Sequence, residues 1–286
     1  MVASGVSFVG VTGIVRYLGT DLPAAQSAFI RFGWGAIFLL PSLLALLRVG
    51  FAPGLLRLHL GRGVVHTAAV LCWFYAMARI PVAEVTAIGF LNPVLVSVGA
   101  ALLFGETFAW RRVVAIALAL CGALIVLRPG LREVTDGHFA QIAAAFFFAG
   151  SYLFAKRLTQ LVQPGEVVAV LSLLVTLGLA PLAYVVWVPV TAVQVGLLAI
   201  VAVFATLGHY CMTHAFGAAP LAVTQPVVFL QLVWATALGA LVFQEGIDGF
   251  VLLGGAVIIG AISYITLREH RLRRRAITPP PQAAQH

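Results

Sequence analysis

Long apolar runs make up almost the whole chain, and the short segments between them hold most of the charged residues. A bilayer span needs about 20 predominantly apolar residues. A soluble domain carries roughly 25% charged residues, whereas only 9% of this chain is charged. Such a composition cannot cover a water-facing surface, and backbone polar groups in lipid must be satisfied within each segment. The runs therefore predict an all-α integral membrane protein with no separate soluble domain.

The runs divide the chain into ten predicted transmembrane helices. They cover approximately residues 2–18, 22–47, 63–79, 83–104, 109–128, 138–158, 166–188, 192–216, 220–243 and 248–267. The first run has no basic segment before it and no clear cleavage site. It is therefore expected to be a retained first span rather than a signal peptide.

Basic residues predict the orientation of the chain in the membrane. Twelve of the 17 Lys and Arg residues fall on the side of the C-terminus and four on the other side, while Arg31 lies within span 2. The positive-inside rule then places both termini in the cytoplasm, which requires an even number of spans. Segment 269–286 is predicted to be a basic, Pro-containing cytoplasmic tail that signals topology or contacts anionic lipid. No aromatic and basic patch of the kind that binds nucleic acid occurs in the sequence.

An internal repeat relates the two halves of the chain. At a shift of 139 residues, Pro81 aligns with Pro220 and Glu106 aligns with Glu245, so that a Pro and a Glu recur in register 25 residues apart. We predict a first repeat at residues 1–130 and a second at 138–268, each with five spans. Because five is odd, the second copy is inverted, as in many transporters that alternate access between two related halves. A duplication kept only for stability is the alternative.

Motifs in both halves carry a family resemblance. They are Phe29-Ile30-Arg31-Phe32, Ala78-Arg79-Ile80-Pro81-Val82-Ala83, Leu91-Asn92-Pro93-Val94-Leu95, Phe104-Gly105-Glu106, Ala218-Ala219-Pro220 and Phe243-Gln244-Glu245. On these motifs the chain resembles the EamA family of the drug/metabolite transporter (DMT) superfamily over essentially its whole length. The resemblance implies ten helices as two inverted five-helix repeats, with spans 5 and 10 peripheral. It also implies a central cavity lined mainly by spans 1, 3, 4, 6, 8 and 9, and it is greatest to exporters of aromatic and neutral amino acids.

Polar and aromatic residues within the predicted spans indicate where a substrate would bind, because lipid-facing helices seldom carry clusters of them. The repeat pairs Asn92 with Gln231 and Tyr75 with His214. The two amides would bind a zwitterion or would instead tie helices together. Pro93 and Pro226 are predicted helix breaks that free backbone carbonyls. The candidate cavity residues are Trp73, Tyr75, Phe90, Asn92, Phe148, Tyr152, His209, Tyr210, His214, Gln225, Phe229 and Gln231.

Charged and titratable groups inside the spans are few. Arg31 lies on the order of 12 Å deep by helical rise, where it attracts a substrate carboxylate or, as we favour, bonds backbone carbonyls. Because only Arg31 qualifies as a buried basic residue, phosphorylated substrates are disfavoured. No acidic residue lies near the middle of a span, and His209 and His214 are the mid-span groups expected to titrate near neutrality. Transport is therefore expected to be facilitated diffusion or to be coupled through these histidines.

The sequence as a whole predicts a secondary transporter in the cell inner membrane that exports amino acids, chiefly aromatic and other neutral ones. Transport of other small metabolites or drugs by the same fold is the alternative. An intramembrane enzyme is a weaker one, because the sequence shows no nucleophile–base or metal-ligand motif. We expect no catalytic residue, metal or cofactor. The expected partners are a small-molecule substrate and membrane lipid, not nucleic acid, and the chain is compatible with a monomer.

Overall fold

The computed structural model describes residues 2–50, 54–92, 94–96, 99, 110–128, 131, 133–158, 160–218 and 230–277. Every regular element within these residues is an α-helix, which confirms the all-α prediction. The eleven helices are α1 (Val2–Leu18), α2 (Ala24–Phe38), α3 (Leu40–Val49), α4 (Leu55–Met77), α5 (Val82–Gly89), α6 (Trp110–Leu127), α7 (Asp136–Leu158), α8 (Pro164–Val185), α9 (Ala192–Ala218), α10 (Leu230–Val242) and α11 (Gly249–Ile277).

Helix length and apolar composition indicate which of the described helices can span a bilayer. Among the described residues, three stretches are long and apolar enough to cross a bilayer alone, namely 136–155, 165–185 and 192–211. Helices α2 and α3 meet at an angle of 67° and count as a fourth span if they are taken together. The bend lies at Leu39, just before Pro41, which lacks the backbone donor that would continue the helix. The structure is thus helical and apolar throughout its described part, but it does not by itself establish ten spans.

The helices pack in pairs that join the two halves of the chain. Helix α4 lies along α7, α1 along α9, α2 along α8, α6 along α11 and α5 against α10. Their contacts are filled by small and branched apolar side chains, which form one large buried cluster. The core therefore belongs to both halves at once, and neither half buries its apolar faces alone.

Two glycines, Gly122 and Gly254, allow α6 and α11 to approach closely. A Cβ atom added at Gly254 would lie 2.5 Å from the carbonyl oxygen of Gly122, and one added at Gly122 would lie 2.7 Å from the carbonyl oxygen of Gly254. Both obstacles are backbone atoms, which cannot rotate away. Small residues that let backbones approach are a common way to associate helices in membranes.

Gly254→Ala is therefore expected to lower the thermal unfolding midpoint of the purified protein in detergent. The added methyl group forces α6 and α11 apart, at a cost typical of overpacking, about 1–3 kcal/mol. Gly260→Ala on the same helix is the matched control, because nothing lies within 4 Å of a Cβ atom at that position. Both changes gain the same helix propensity, so equal midpoints for the two variants would contradict the close contact.

Ion pairs connect the helices at the end of the bundle where α1 ends and α5 begins. Arg16 Nε lies 3.0 Å from Glu245 Oε1, and the backbone N–H of Val82 donates to Glu245 Oε2 at 3.0 Å. Arg16 Nη1 also donates to the carbonyl of Ala78 at 3.2 Å. Glu245 thus holds α1, α5 and the end of α10 together. The contact joins the repeated Glu of the second half to the residue that follows the repeated Pro81 of the first half.

A buried carboxylate–imidazole pair lies at the same end and joins α5 to α7. The backbone N–H of Thr135 donates to His138 Nδ1 at 3.1 Å, so this nitrogen is an acceptor. His138 Nε2 therefore carries the proton and donates to Glu84 Oε2 at 2.8 Å. Arg128 and Asp248 form a further ion pair between the ends of α6 and α11. Together these pairs close one end of the bundle with polar groups that are bonded to one another.

Candidate functional site

Aromatic rings from three helices meet in the interior of the bundle around Phe148 of α7. The Phe148 ring centroid lies 5.2 Å from that of His66, 5.7 Å from that of Trp73 and 6.2 Å from that of Tyr152. The first two contacts are edge-to-face and the third is stacked. Phe32 of α2 adds an edge contact to His66 at 6.0 Å. We call these five residues, Phe32, His66, Trp73, Phe148 and Tyr152, the ring cluster.

Two members of the ring cluster, His66 and Phe148, lie at mid-height of their helices. Helices α4 and α7 have 23 residues each, and with a rise of about 1.5 Å per residue each is about 35 Å long. His66 and Phe148 are both close to the midpoint of their helix. A cluster of rings at this depth, rather than at the ends, is not an interfacial aromatic belt.

Basic side chains surround the same rings. Arg31 and Arg62 are only 8% and 6% exposed, and the Arg31 guanidinium carbon lies 3.7 Å from the centroid of the Phe32 ring. Phe32 in turn contacts His66 edge-on, and Arg62 lies one helical turn before His66 on α4. His209 of α9 lies close enough to both arginines for a charge interaction. His209 packs edge-on against Phe8 of α1 at 5.1 Å. We call Arg31, Arg62, His66 and His209 the basic cluster.

Hydrogen bonds fix two members of the basic cluster in place. His66 Nδ1 lies 2.9 Å from the hydroxyl oxygen of Ser151 on α7. Arg62 Nη1 donates to the carbonyl oxygen of Val167 on α8 at 3.1 Å. Together with the ring contacts, these bonds bring α1, α2, α4, α7, α8 and α9 to one site. The site therefore forms only when both halves of the chain are folded.

Four of the residues singled out from sequence lie in these two clusters, namely Trp73, Phe148, Tyr152 and His209. The others are placed differently. The Tyr75 ring stacks against Arg79, whose guanidinium carbon lies 3.6 Å from the ring centroid. Tyr210 is 63% exposed and does not share a face with His209. Phe90 is buried in the apolar core.

The two amides expected at mid-depth are also described. Asn92 Nδ2 donates to the carbonyl oxygen of Ala145 on α7 at 3.4 Å, which is the helix-tying role. Gln231 is half-buried on α10, and a Cβ atom at Gly5 of α1 would lie 3.8 Å from its Cβ. Their pairing across a substrate stays a prediction.

Several predicted residues cannot be placed. Gln225, Phe229 and the two predicted helix breaks, Pro93 and Pro226, lie outside the described residues. His214 falls within α9, but its side chain is not among those described. The predicted pairing of Tyr75 with His214 and the two breaks therefore remain predictions.

Sequence reasoning missed Arg62 and His66. The predicted third span begins at residue 63, which leaves Arg62 among the flanking charges, and no role is predicted for His66. Helix α4 begins at Leu55, which places both residues inside the bundle. The expectation that Arg31 is the one buried basic residue is therefore wrong, because Arg62 is buried as well. His66 is a further histidine at the middle of a helix, and the titration of His209 and His214 stays a prediction. The spacing of Arg62 and His66, four residues apart on one helix face, was the available signal.

Other sites in the described part of the chain offer less chemistry. No group of three or more His, Cys, Asp or Glu residues there is placed to hold a metal ion. Cys72, Cys121 and Cys211 are free thiols. A cleft at the charged end of the bundle is lined by Pro81, Glu84, Thr236, Gly239, Glu245 and other residues of α5, α10 and α11. Its carboxylates Glu84 and Glu245 are already engaged by His138 and Arg16.

The fold and the site define a multi-pass helical membrane protein with an aromatic and basic centre buried between its two halves. The chain belongs to the EamA-like transporter family, whose model matches residues 1–128 and again residues 135–267. It is therefore a transporter of small metabolites of the DMT superfamily, in a bacterial inner membrane. The resemblance stated from sequence motifs is confirmed.

Individual relatives are similar over nearly the whole chain. A riboflavin transporter of Rhizobium johnstonii is 29% identical over 280 residues, covering 96% of this chain and 92% of the relative. An S-adenosylmethionine uptake transporter of Rickettsia bellii is 26% identical, with 92% and 90% covered. A pseudopaline exporter, CntI, of Pseudomonas aeruginosa is 26% identical, with 91% and 92% covered. None of these three names is that of an amino-acid exporter. The names therefore favour the alternative prediction, that the substrate is another small metabolite, over the prediction that it is an amino acid.

A solved crystal structure supports the fold. It matches with a TM-score of 0.60 at 21% sequence identity and covers 94% of this chain and 98% of that protein. At this identity the similarity concerns the arrangement of helices alone.

Proposed function

We propose that this protein is a secondary transporter that moves a small, ring-bearing metabolite across the membrane by alternating access at the ring cluster. The observation that carries the proposal is the position of Phe148, whose ring contacts three other rings near the middle of the bundle. Aromatic walls bind flat ring systems through stacking and edge contacts. Polar and charged groups buried in a membrane protein commonly mark its substrate pathway.

The architecture we propose is ten spans in two inverted five-span repeats, 1–130 and 138–268, followed by a cytoplasmic tail. The packing of the helices supports it. If the halves are exchanged, the pair α1–α9 becomes the pair α7–α4, while α2–α8, α5–α10 and α6–α11 each map onto themselves. An approximate two-fold axis in the membrane plane would produce these pairs.

Flat solutes with several rings are the first candidates for the cargo. The riboflavin transporters among the relatives support this choice, since their named substrate has a fused ring system. Aromatic amino acids are the second candidate, because Trp73 and Phe148 would also accept an indole or phenyl ring. The bond from Asn92 to the carbonyl of Ala145 favours the first candidate, because that amide is engaged with the helix rather than held open for a zwitterion.

Flux into liposomes tests the proposal. Purified protein is reconstituted, and the uptake of riboflavin, tryptophan, phenylalanine and serine is compared with uptake by empty liposomes. We expect saturable uptake of at least one of the ring-bearing solutes and none of serine, which has no ring to place against Phe148. Failure of every ring-bearing solute, or uptake of serine at an equal rate, would refute it.

A further inference from the structure

Two arginines of the basic cluster are not explained by the binding of a ring alone. Arg31 and Arg62 are 8% and 6% exposed and lie among aromatic side chains in the interior of the bundle. Removing a cation from water is costly unless a group of opposite charge compensates it. Among the described residues, neither arginine forms an ion pair with a carboxylate. Within the part of the chain that the structure describes, the two buried cations therefore have no anion of the protein's own beside them.

Much of the hydrogen-bonding capacity of these arginines is also unused within the described part of the chain. A guanidinium group carries five N–H donors. Arg62 uses one on the carbonyl oxygen of Val167, and its Nε is buried without a hydrogen-bond partner. Arg31 lies over the Phe32 ring and bonds no described backbone carbonyl, so the carbonyl-binding role favoured from sequence stays a prediction. Both groups have donors left for a bound molecule.

The groups around the two arginines reinforce the positive charge rather than neutralise it. Within the described residues, His66 and His209 lie within reach of both arginine charges, and His59 lies within reach of the charge of Arg62. Tyr152, which also interacts with the charge of Arg62, is neutral as a phenol. Glu166 on α8 lies near the start of α4, but its Oε1 atom is directed at His59, 3.7 Å from the Nε2 atom of that residue. A substrate ammonium group would find no carboxylate in the cluster, whereas an anion would find several cationic donors.

We infer that the transported metabolite is an organic anion, with a carboxylate that binds Arg31 and Arg62 and a ring that lies against Phe148 and Trp73. This inference rests on the proposed function and narrows its substrate class from ring-bearing solutes in general to those that carry a carboxylate, a group that riboflavin itself lacks. Groups that would bind the carboxylate and groups that would bind the ring lie close together. The Arg31 guanidinium lies over the Phe32 ring, and the same ring contacts His66 of the ring cluster. Bonds between guanidinium and carboxylate groups are charge-assisted and geometrically specific.

Ligands that share one ring but differ in charge show how much each of the two features contributes to binding. The dissociation constants of indole-3-acetate, indole-3-acetamide, tryptamine and tryptophan are measured with the purified full-length protein in detergent. All four share the indole ring and differ in charge. We expect the acid to bind roughly tenfold more tightly than the amide, as one charge-assisted pair predicts. Tryptamine is expected to bind most weakly, and tryptophan to bind less tightly than the acid because its ammonium group lacks a partner.

Arg31→Gln locates the effect. This change removes the charge from a side chain that ties no described helix to another, and it is expected to bring the acid to within about twofold of the amide. Arg57→Gln is the control, because Arg57 is exposed near the start of the same α4 that holds Arg62. It is expected to keep the full preference for the acid. Loss of the preference in Arg57→Gln as well would show that surface charge, not the cluster, selects the anion.

The dissociation constants measured with the wild-type protein are sufficient to test the inference. Equal binding of the acid and the amide would overturn the anion inference and leave the transport of ring-bearing solutes intact, since both ligands would still bind. Tighter binding of tryptophan than of indole-3-acetate would overturn it in favour of a zwitterion. Failure of all four ligands to bind would overturn it too, and the liposome fluxes then show whether ring transport fails with it.

Discussion

Phe148→Ala is expected to raise the KM for a transported ring-bearing solute by at least about tenfold in reconstituted liposomes. Phe148 is the ring that contacts His66, Trp73 and Tyr152 at once. Its loss removes the surface against which the substrate ring would lie and loosens the three neighbouring rings. Phe148→Leu separates these effects, because leucine restores most of the volume but not the ring. We expect it to recover stability but to leave KM high.

Phe146→Ala is the matched control on the same helix. Phe146 is 56% exposed and points away from the ring cluster, so its loss is expected to change KM by less than about twofold. A normal KM in both Phe148 variants would contradict the placement of the substrate. An equal rise of KM in Phe146→Ala would show that any aromatic loss on α7 disturbs transport.

Glu245→Ala is expected to lower the free energy of unfolding of the protein in detergent by about 2–4 kcal/mol. The Glu245 side chain is 13% exposed and accepts from both Arg16 and the backbone N–H of Val82. Alanine leaves the Arg16 cation, itself 23% exposed, and the Val82 donor without that carboxylate. Chemical or thermal unfolding followed by circular dichroism measures the effect.

Two further variants sharpen the test at Glu245. Glu245→Gln keeps an acceptor oxygen for Val82 but loses the charge that pairs with Arg16, so it is expected to be intermediate. Asp136→Ala removes an exposed carboxylate at the same end of the bundle and is expected to change stability by less than about 0.5 kcal/mol. If Glu245→Ala were no less stable than Asp136→Ala, the pair would not hold this end together.

Hydropathy and the repeat predicted the fold class well, because lipid imposes simple rules on a chain. Backbone groups must bond within each segment, so apolar runs become helices, and this part of the prediction is confirmed. The edges of the helices were harder to predict. Arg57 and Arg62 made the start of α4 look like a loop, although a buried arginine that donates to Val167 can lie inside a bundle.

The site was predicted only in part, for a related reason. Trp73, Phe148, Tyr152 and His209 were identified because aromatic and polar residues are unusual in lipid-facing helices. Which face of a helix a residue occupies depends on its partners across the bundle, and sequence alone does not supply those. Tyr210 and Tyr75 therefore looked equivalent to His209 and Trp73 but lie elsewhere in the structure. The basic cluster joins α2, α4 and α9, whose residues are far apart in the sequence.

Determination of the structure with a transported ring-bearing solute bound is the most direct test of a transport site at the ring cluster. The account predicts the solute ring against Phe148 and Trp73, with its acceptor oxygens within hydrogen-bond distance of Arg31 or Arg62. A solute bound instead in the cleft lined by Glu84 and Glu245, with the ring cluster unchanged and empty, would contradict it.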